Sequence, residues 1–354
     1  MRRRRPVRSK RLRIPVWLAW LLLLGSFFTA GLLRQFHDRT PSSPFVDPVV
    51  GNLLFVACFF LLLVAAREFR RGAVPGPGVR LGSLTPIMLM LLVEKWVSLT
   101  WYEPAFARIA PPDESPAVLD AQFRAFAGVS LILLCLLVSR FSVPTARKTW
   151  RRARPARWPV AALYTMLVVA GTYVVLGGAA ALLGGGLSLR WPAATGLVAW
   201  ILVGQALLAL GEECYYRGLL MSETERIAPR LLARAPMARR WVALGATSVL
   251  FSMEHLGIDV PPDEILRRLV FTVCLGLLLG LLVMTSANLH LAAGVHAWIN
   301  WLLLGGAPHY VDAAGEPALP AGTYIGLTLI LTFGLVYLRQ RLRFPRRFRP
   351  ARTG

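Results

Sequence analysis

Two adjacent glutamates, an arginine, two histidines and an asparagine lie in the second half of this 354-residue chain, in surroundings that are otherwise almost wholly apolar. Gly211-Glu212-Glu213-Cys214-Tyr215-Tyr216-Arg217-Gly218 follows the apolar run Leu202 to Leu210. Phe251-Ser252-Met253-Glu254-His255 closes a second apolar stretch, and His296-Ala297-Trp298-Ile299-Asn300 falls inside a third. Carboxylate and imidazole are the groups that exchange protons near neutral pH, and imidazole and carboxamide N–H groups donate hydrogen bonds to negative charge. Ionisable side chains are costly in lipid, so where they gather they mark a pathway, a pair or an active site.

Their spacing assigns different tasks to similar side chains. On a helix Glu213 and Arg217 stand at i and i+4, so the guanidinium neutralises that carboxylate in place. Glu212 then points about 100° away around the helix axis, free for chemistry. His296 and Asn300 are also at i and i+4 and present two hydrogen-bond donors on one helix face. Cys214 sits between the glutamates and the arginine, but a thiol in apolar surroundings is a poor nucleophile. Glu254 projects to a different face from His255 and reads either as a pathway residue or as a carboxylate at a helix end.

The elements that must hold these residues are membrane helices. Apolar residues make up 56% of the chain and charged residues only 16%, far from the balance of a soluble domain. The expected fold is all-α, a polytopic transmembrane bundle of about ten spans near 16–34, 49–66, 82–102, 124–142, 159–184, 193–218, 241–257, 268–285, 289–305 and 321–338. The net charge of +22 is concentrated in 2–13, 67–80, 140–157, 226–240 and 339–352, between or outside these spans. Asp113, Glu114, Asp120, Asp259, Asp263, Glu264, Asp312 and Glu316 occupy the alternate loops. By the positive-inside rule the basic segments, including both termini, are cytoplasmic. Drawn this way, Glu212 falls toward the cytoplasmic end of its span and His255 toward the opposite end of the next.

The organisation expected along the chain is a basic cytoplasmic segment at 1–15, four spans in 16–145, a catalytic core at 158–305, a loop and last span at 306–338, and a basic tail at 339–354. The first span reads as a retained anchor, since it is longer than a signal-peptide core and lacks a clear cleavage site. Gly177, Gly178, Gly184, Gly185 and Gly186 read as close-packing positions between helices. The pair Glu94-Lys95 inside the third span reads as a self-neutralising pair or as part of a substrate path, the structural option being favoured. Cys58, Cys135, Cys214 and Cys274 all fall in apolar spans without metal-ligand spacing and read as buried free thiols.

Taken together, EECYYR as EExxxR, FSMEH as FxxxH and HAWIN as HxxxN resemble, in order, the three motifs of the CAAX prenyl protease and bacteriocin-processing (CPBP, Abi) family, including its myxosortase-like branches. RGLL after the first motif and SANLHLAAGVHAWIN around the third add to the likeness, which covers about residues 160 to 305. The resemblance implies a glutamic-type intramembrane protease with no cofactor and no catalytic metal. It implies that Glu212 is the general base, that His255 helps position the water, and that His296 and Asn300 donate to the oxyanion. Glu213 and Arg217 take a supporting role.

A metalloprotease is the nearest rival, but HExxH is absent: Glu254-His255 is in reversed order and no second histidine follows. A transporter using these residues as a proton relay, or a non-catalytic scaffold or immunity protein, would use the same side chains differently; neither inverted repeats nor paired broken helices are evident. Nucleic acid is not an expected partner, because the basic residues sit at membrane edges. The expected partners are the lipid bilayer and a membrane-anchored protein or peptide substrate, in a bacterial inner membrane.

Overall fold

The computed structural model describes residues 13–14, 79–80, 116–141, 157–182, 187–191, 196–227, 235–255, 262–304 and 306–343. The expected spans at 16–34, 49–66 and 82–102, with Cys58, Glu94 and Lys95, lie outside the described residues, as do Gly184, Gly185 and Gly186.

Helices coincide with the expected spans from residue 124 onward: α1 (Pro116–Phe141), α2 (Trp158–Leu182), α3 (Gly196–Glu213), a π-helical segment (Cys214–Leu220) continuing into α4 (Met221–Ile227), α5 (Pro236–Glu254), α6 (Pro262–Ser286), α7 (Leu289–Leu303) and α8 (Ala321–Arg343). Among the described residues, three stretches are long and apolar enough to cross a membrane by themselves: Trp158–Leu182, Glu264–Ser286 and Ala321–Arg341. Their outward faces carry large apolar side chains, such as Met166, Val174, Leu266 and Ile330, each more than 60% exposed. That pattern suits a lipid solvent, in which apolar exposure costs nothing. The helix α7 has 15 residues, a length of about 22 Å at 1.5 Å per residue and too short to cross roughly 30 Å of hydrocarbon alone.

The all-α expectation holds apart from two small antiparallel pairings. Arg13–Ile14 (β1) pairs with Val79–Arg80 (β2), and Ser188–Arg190 (β3) with His309–Val311 (β4). His309 therefore sits in a strand. Tyr310 on β4 donates its hydroxyl to the Tyr173 carbonyl at 2.8 Å, and its backbone N–H donates to the Tyr324 hydroxyl at 2.7 Å. The strand pair is thereby fastened to both α2 and α8. Gly177 is required beneath it, because a Cβ there would collide with the Tyr310 hydroxyl, whereas Gly178 faces open space.

Small residues bring the site helices together. A Cβ at Gly128 of α1 would run into the backbone of Leu207 and Leu208 on α3, and one at Gly211 would lie 2.8 Å from the Gly128 carbonyl oxygen. This glycine-to-glycine crossing seats α3 directly on α1, as small residues do between membrane helices. Gly128→Val is expected to wedge the two helices apart and cost about 1–3 kcal/mol through overpacking. A lowered thermal midpoint of the purified protein in detergent measures it.

Helices α5 and α6 close on each other at Gly276, where a Cβ would meet the Ser248 Cβ at 3.0 Å. A Ser252–Thr272 hydroxyl pair at 2.6 Å sits beside that contact. Between α6 and α7 the chain turns within Ala287 and Asn288. Ala287 adopts φ 51°, and Asn288 caps α7 by accepting from the His290 N–H at 3.1 Å.

One expectation is corrected by the path of α3. Its helix does not stop at 218: the π segment and α4 carry it to Ile227. Glu212 therefore sits in the middle of a long rod rather than near its end. The Phe251 ring of α5 lies 5.1 Å from that of Tyr216, level with the glutamates, so the expected separation of Glu212 from His255 is removed.

Candidate active site

The first motif straddles a change of helix type. Glu213 ends α3, and the next seven residues, Cys214 to Leu220, form π-helix in which the Met221 N–H donates to the Tyr216 carbonyl five residues back. A wider turn shifts the residues after it around the rod relative to an α-helix, and such segments gather at functional sites. All seven are buried, so the rod has no lipid-facing side there. Tyr215, Tyr216, Leu219 and Leu220 pack in one cluster with Leu131 and Cys135 of α1, Leu250 and Phe251 of α5, and Leu289 of α7.

Within this apolar sleeve the ion pair expected from spacing is present. Arg217 Nη1 donates to Glu213 Oε1 at 2.9 Å, with both side chains at most 2% exposed. A second guanidinium nitrogen, Nη2, donates to the Gly276 carbonyl of α6 at 3.2 Å. The Phe251 ring lies against the cation, 4.5 Å from Cζ to centroid. A buried cation needs all of these, because an isolated charge away from water costs far more than any one contact returns.

His296 enters from α7. Its Nδ1 is 3.1 Å from the same Glu213 Oε1 that holds Arg217, and its Nε2 is 3.6 Å from Glu212 Oε2. The imidazole thus stands between the two carboxylates, 1% exposed. A carboxylate can only accept, so the Glu213 contact places a hydrogen on Nδ1; Nε2 then donates only if the ring is an imidazolium. Glu212 is 15% exposed, and its Oε2 has no hydrogen-bond partner. Glu213 Oε2 is likewise without a partner, but Glu213 is fully buried and tied through Oε1 to Arg217 and His296, so Glu212 is the carboxylate with access to a water.

His255 follows the last residue of α5. Its Nδ1 is 2.7 Å from the Phe251 carbonyl. A carbonyl cannot donate, so Nδ1 carries the hydrogen and Nε2 of the neutral ring presents a lone pair. The side chain is in electrostatic range of Glu212, Glu254 and His296. Phe251 organises this corner: its ring is 4.3 Å from that of His255 and 5.7 Å from that of His296.

The structure brings five of the six residues singled out in the sequence close to one another. Glu212, Glu213, Arg217, His255 and His296 come together from three helical segments. Asn300 lies one turn beyond His296 on α7 and is half-buried, without a side-chain contact to the other members. Cys214 is buried in the same apolar cluster as Cys135. Cys274 corrects the expectation of four buried thiols, since it is exposed on α6. What spacing could not supply was the Gly276 carbonyl and the wide turn. A helix carbonyl carries no residue signature, and π-helix has no composition signal.

Compared with known protein families, residues 194–302 match the one described as Rce1-like, type II CAAX prenyl endopeptidase Rce1-like. No curated protein and no solved structure matches the chain. The matched stretch runs from just before α3 to the last turn of α7 and contains Glu212, Glu213, Arg217, His255, His296 and Asn300. By that match and the three motifs within it, residues 194–302 are similar to the CAAX-protease family, and the long apolar helices beside them are those of a membrane protein.

Proposed function

We propose that the protein is an intramembrane endopeptidase of glutamic type that cleaves a membrane-anchored protein or peptide with a water activated by Glu212 and His255. The observation that carries the reading is the pairing of a carboxylate oxygen that has no partner with a histidine whose tautomer is set. Glu212 Oε2 and His255 Nε2 are both acceptors, and a water has two hydrogens to give. Held by both, it keeps a lone pair for the carbonyl carbon of the substrate. In the attack the C–O bond forms, a water proton passes to Glu212, and the carbonyl becomes an oxyanion. The same proton then leaves with the amine as the C–N bond breaks.

His296 as an imidazolium donates from Nε2 toward the oxyanion, and Asn300 adds its carboxamide N–H from the next turn. Fixed donors in a site closed to water contribute on the order of 3 kcal/mol each to such a step. Glu213 is the anchor of the arrangement, because one oxygen restrains both Arg217 and His296. The catalytic core is 158–305. The family name points to a prenylated CAAX tail, while leader peptides and C-terminal sorting signals of bacterial surface proteins share its essential property, a cleavable bond beside a membrane anchor. The setting is the bacterial inner membrane with both termini cytoplasmic, as the alternation of basic and acidic loops suggests.

The test is cleavage of a panel of single-span and lipid-anchored reporter peptides by the purified protein in nanodiscs. Activity should withstand metal chelators, and Cys214→Ala should cleave within about twofold of the wild type, as expected for a buried thiol that is not the nucleophile. Loss of activity in a chelator, restored by a divalent metal, or a Cys214→Ala protein without activity, would replace the glutamic mechanism with another.

A further inference from the structure

Gln205 is the least explained polar residue of the described chain. It lies on α3, two turns before Glu212, and is 1% exposed. Neither its Nε2 nor its Oε1 has a hydrogen-bond partner. A primary carboxamide with donors and an acceptor both idle is expensive in the interior of a membrane bundle. An apolar residue of similar size would avoid that cost, so an occupant that uses both groups is the natural explanation.

Its placement names the occupant. Gln205 and Glu212 are at i and i+7, which returns to within about 20° of the same face of the helix. That face is not the one seated on α1, where Leu207, Leu208 and Gly211 meet Gly128. It is turned toward α7. Leu289 packs with Tyr215 to Leu220, while His296, further along α7, meets Glu212 and Glu213. The two helices are therefore antiparallel, and the residues of α7 beyond His296 run back alongside the N-terminal half of α3. Asn300, one turn past His296, consequently falls between the levels of Glu212 and Gln205. Glu212, His296, Asn300 and Gln205 follow one another along a single seam.

We propose that Gln205 is a substrate-positioning residue, its carboxamide pairing with a backbone N–H and C=O of the extended peptide whose scissile bond lies at Glu212. This rests on the proteolytic reading given above. Seven residues of helix span about 10 Å, and an extended peptide advances about 3.3 Å per residue, so the contact falls about three residues from the cleaved bond. A carboxamide has the same donor and acceptor geometry as a peptide group, and it holds an extended chain in register without choosing its side chains.

The experiment compares the wild type, Gln205→Leu and Gln205→Glu on the reporter peptide the wild type cleaves fastest, with thermal unfolding measured alongside. Gln205→Leu should raise KM about tenfold or more, which corresponds to two neutral hydrogen bonds, and leave kcat within about threefold. Its unfolding midpoint should be equal to or above that of the wild type, because an idle buried amide is removed. A peptide shortened to end two residues from the scissile bond on the Gln205 side should be cleaved equally by both proteins. Gln205→Glu, which keeps an acceptor and loses the donors, should fall between. An unchanged KM in Gln205→Leu, or a loss that persists with the shortened peptide, overturns the assignment while leaving the protease intact. A panel that the wild type itself does not cleave overturns the proteolytic reading, and this proposal with it.

Discussion

Glu212→Gln is expected to lower the cleavage rate by about 10³-fold, within the range by which a positioned general base accelerates a reaction, while the protein keeps its fold. The two halves of this expectation come from the same atom. Glu212 Oε2 has no hydrogen-bond partner, so an amide of equal size forfeits no hydrogen bond of that oxygen and only the 3.6 Å charge contact with His296. The same substitution replaces an acceptor of a water proton with a group that cannot take it. Single-turnover cleavage in nanodiscs, read beside thermal unfolding, separates the two. His255→Ala should also fall by two to three orders of magnitude, since the water then loses one of its two acceptors. A Glu212→Gln protein that retains a tenth of wild-type activity would show that the proton goes elsewhere.

Arg217→Met should act in the opposite sense, on the fold more than on the chemistry. The guanidinium is 2% exposed and its partner carboxylate 0%, and it also donates to the Gly276 carbonyl of α6. Removing it leaves Glu213 charged, buried and without its principal counter-ion, a change that costs about 3–5 kcal/mol where it has been measured for buried pairs. The unfolding midpoint of the purified protein should fall accordingly. Combining it with Glu213→Gln should recover much of that loss, because a neutral pair needs no counter-ion, and the coupling between the two substitutions should be large and favourable. The double variant should still be a poor enzyme, for His296 loses the carboxylate that orients Nδ1. Additive losses in the two single variants would mean that the 2.9 Å contact carries no energy of its own.

These two expectations divide the first motif between a residue of chemistry and a residue of support, and the division was partly legible in the chain. A bond between Glu213 and Arg217 depends only on the rise and rotation of one helix, so spacing predicts it, and it is present. Helices from residue 124 onward were equally legible, since hydropathy is a property of contiguous residues. Their ends were not. The rod containing Glu212 continues to Ile227 because the bundle buries Cys214 to Leu220 on every side, and that stabilises a helix past the point where hydropathy alone would end it. His296 shows the limit from another direction. Its spacing from Asn300 suggests a pair of matched donors, yet Nδ1 is engaged by Glu213 across 83 residues of sequence, and Asn300 stays one turn away.

What this chain determined by itself was the inventory and its local geometry: carboxylates, imidazoles and a carboxamide on apolar helices, with one glutamate neutralised by an arginine a turn away. Those properties depend on neighbours in sequence, and helix geometry is the same wherever the helix sits. The tertiary structure alone decided which glutamate is fully buried and which keeps some exposure, which nitrogen of each histidine carries a hydrogen, and that Gln205 shares a seam with Glu212. Each of these is set by the rotation of one helix against another, fixed here by glycine contacts at Gly128 and Gly276 and by a two-residue turn at Ala287 and Asn288. Such angles are sums over many distant packing contacts, and no short stretch of residues encodes them.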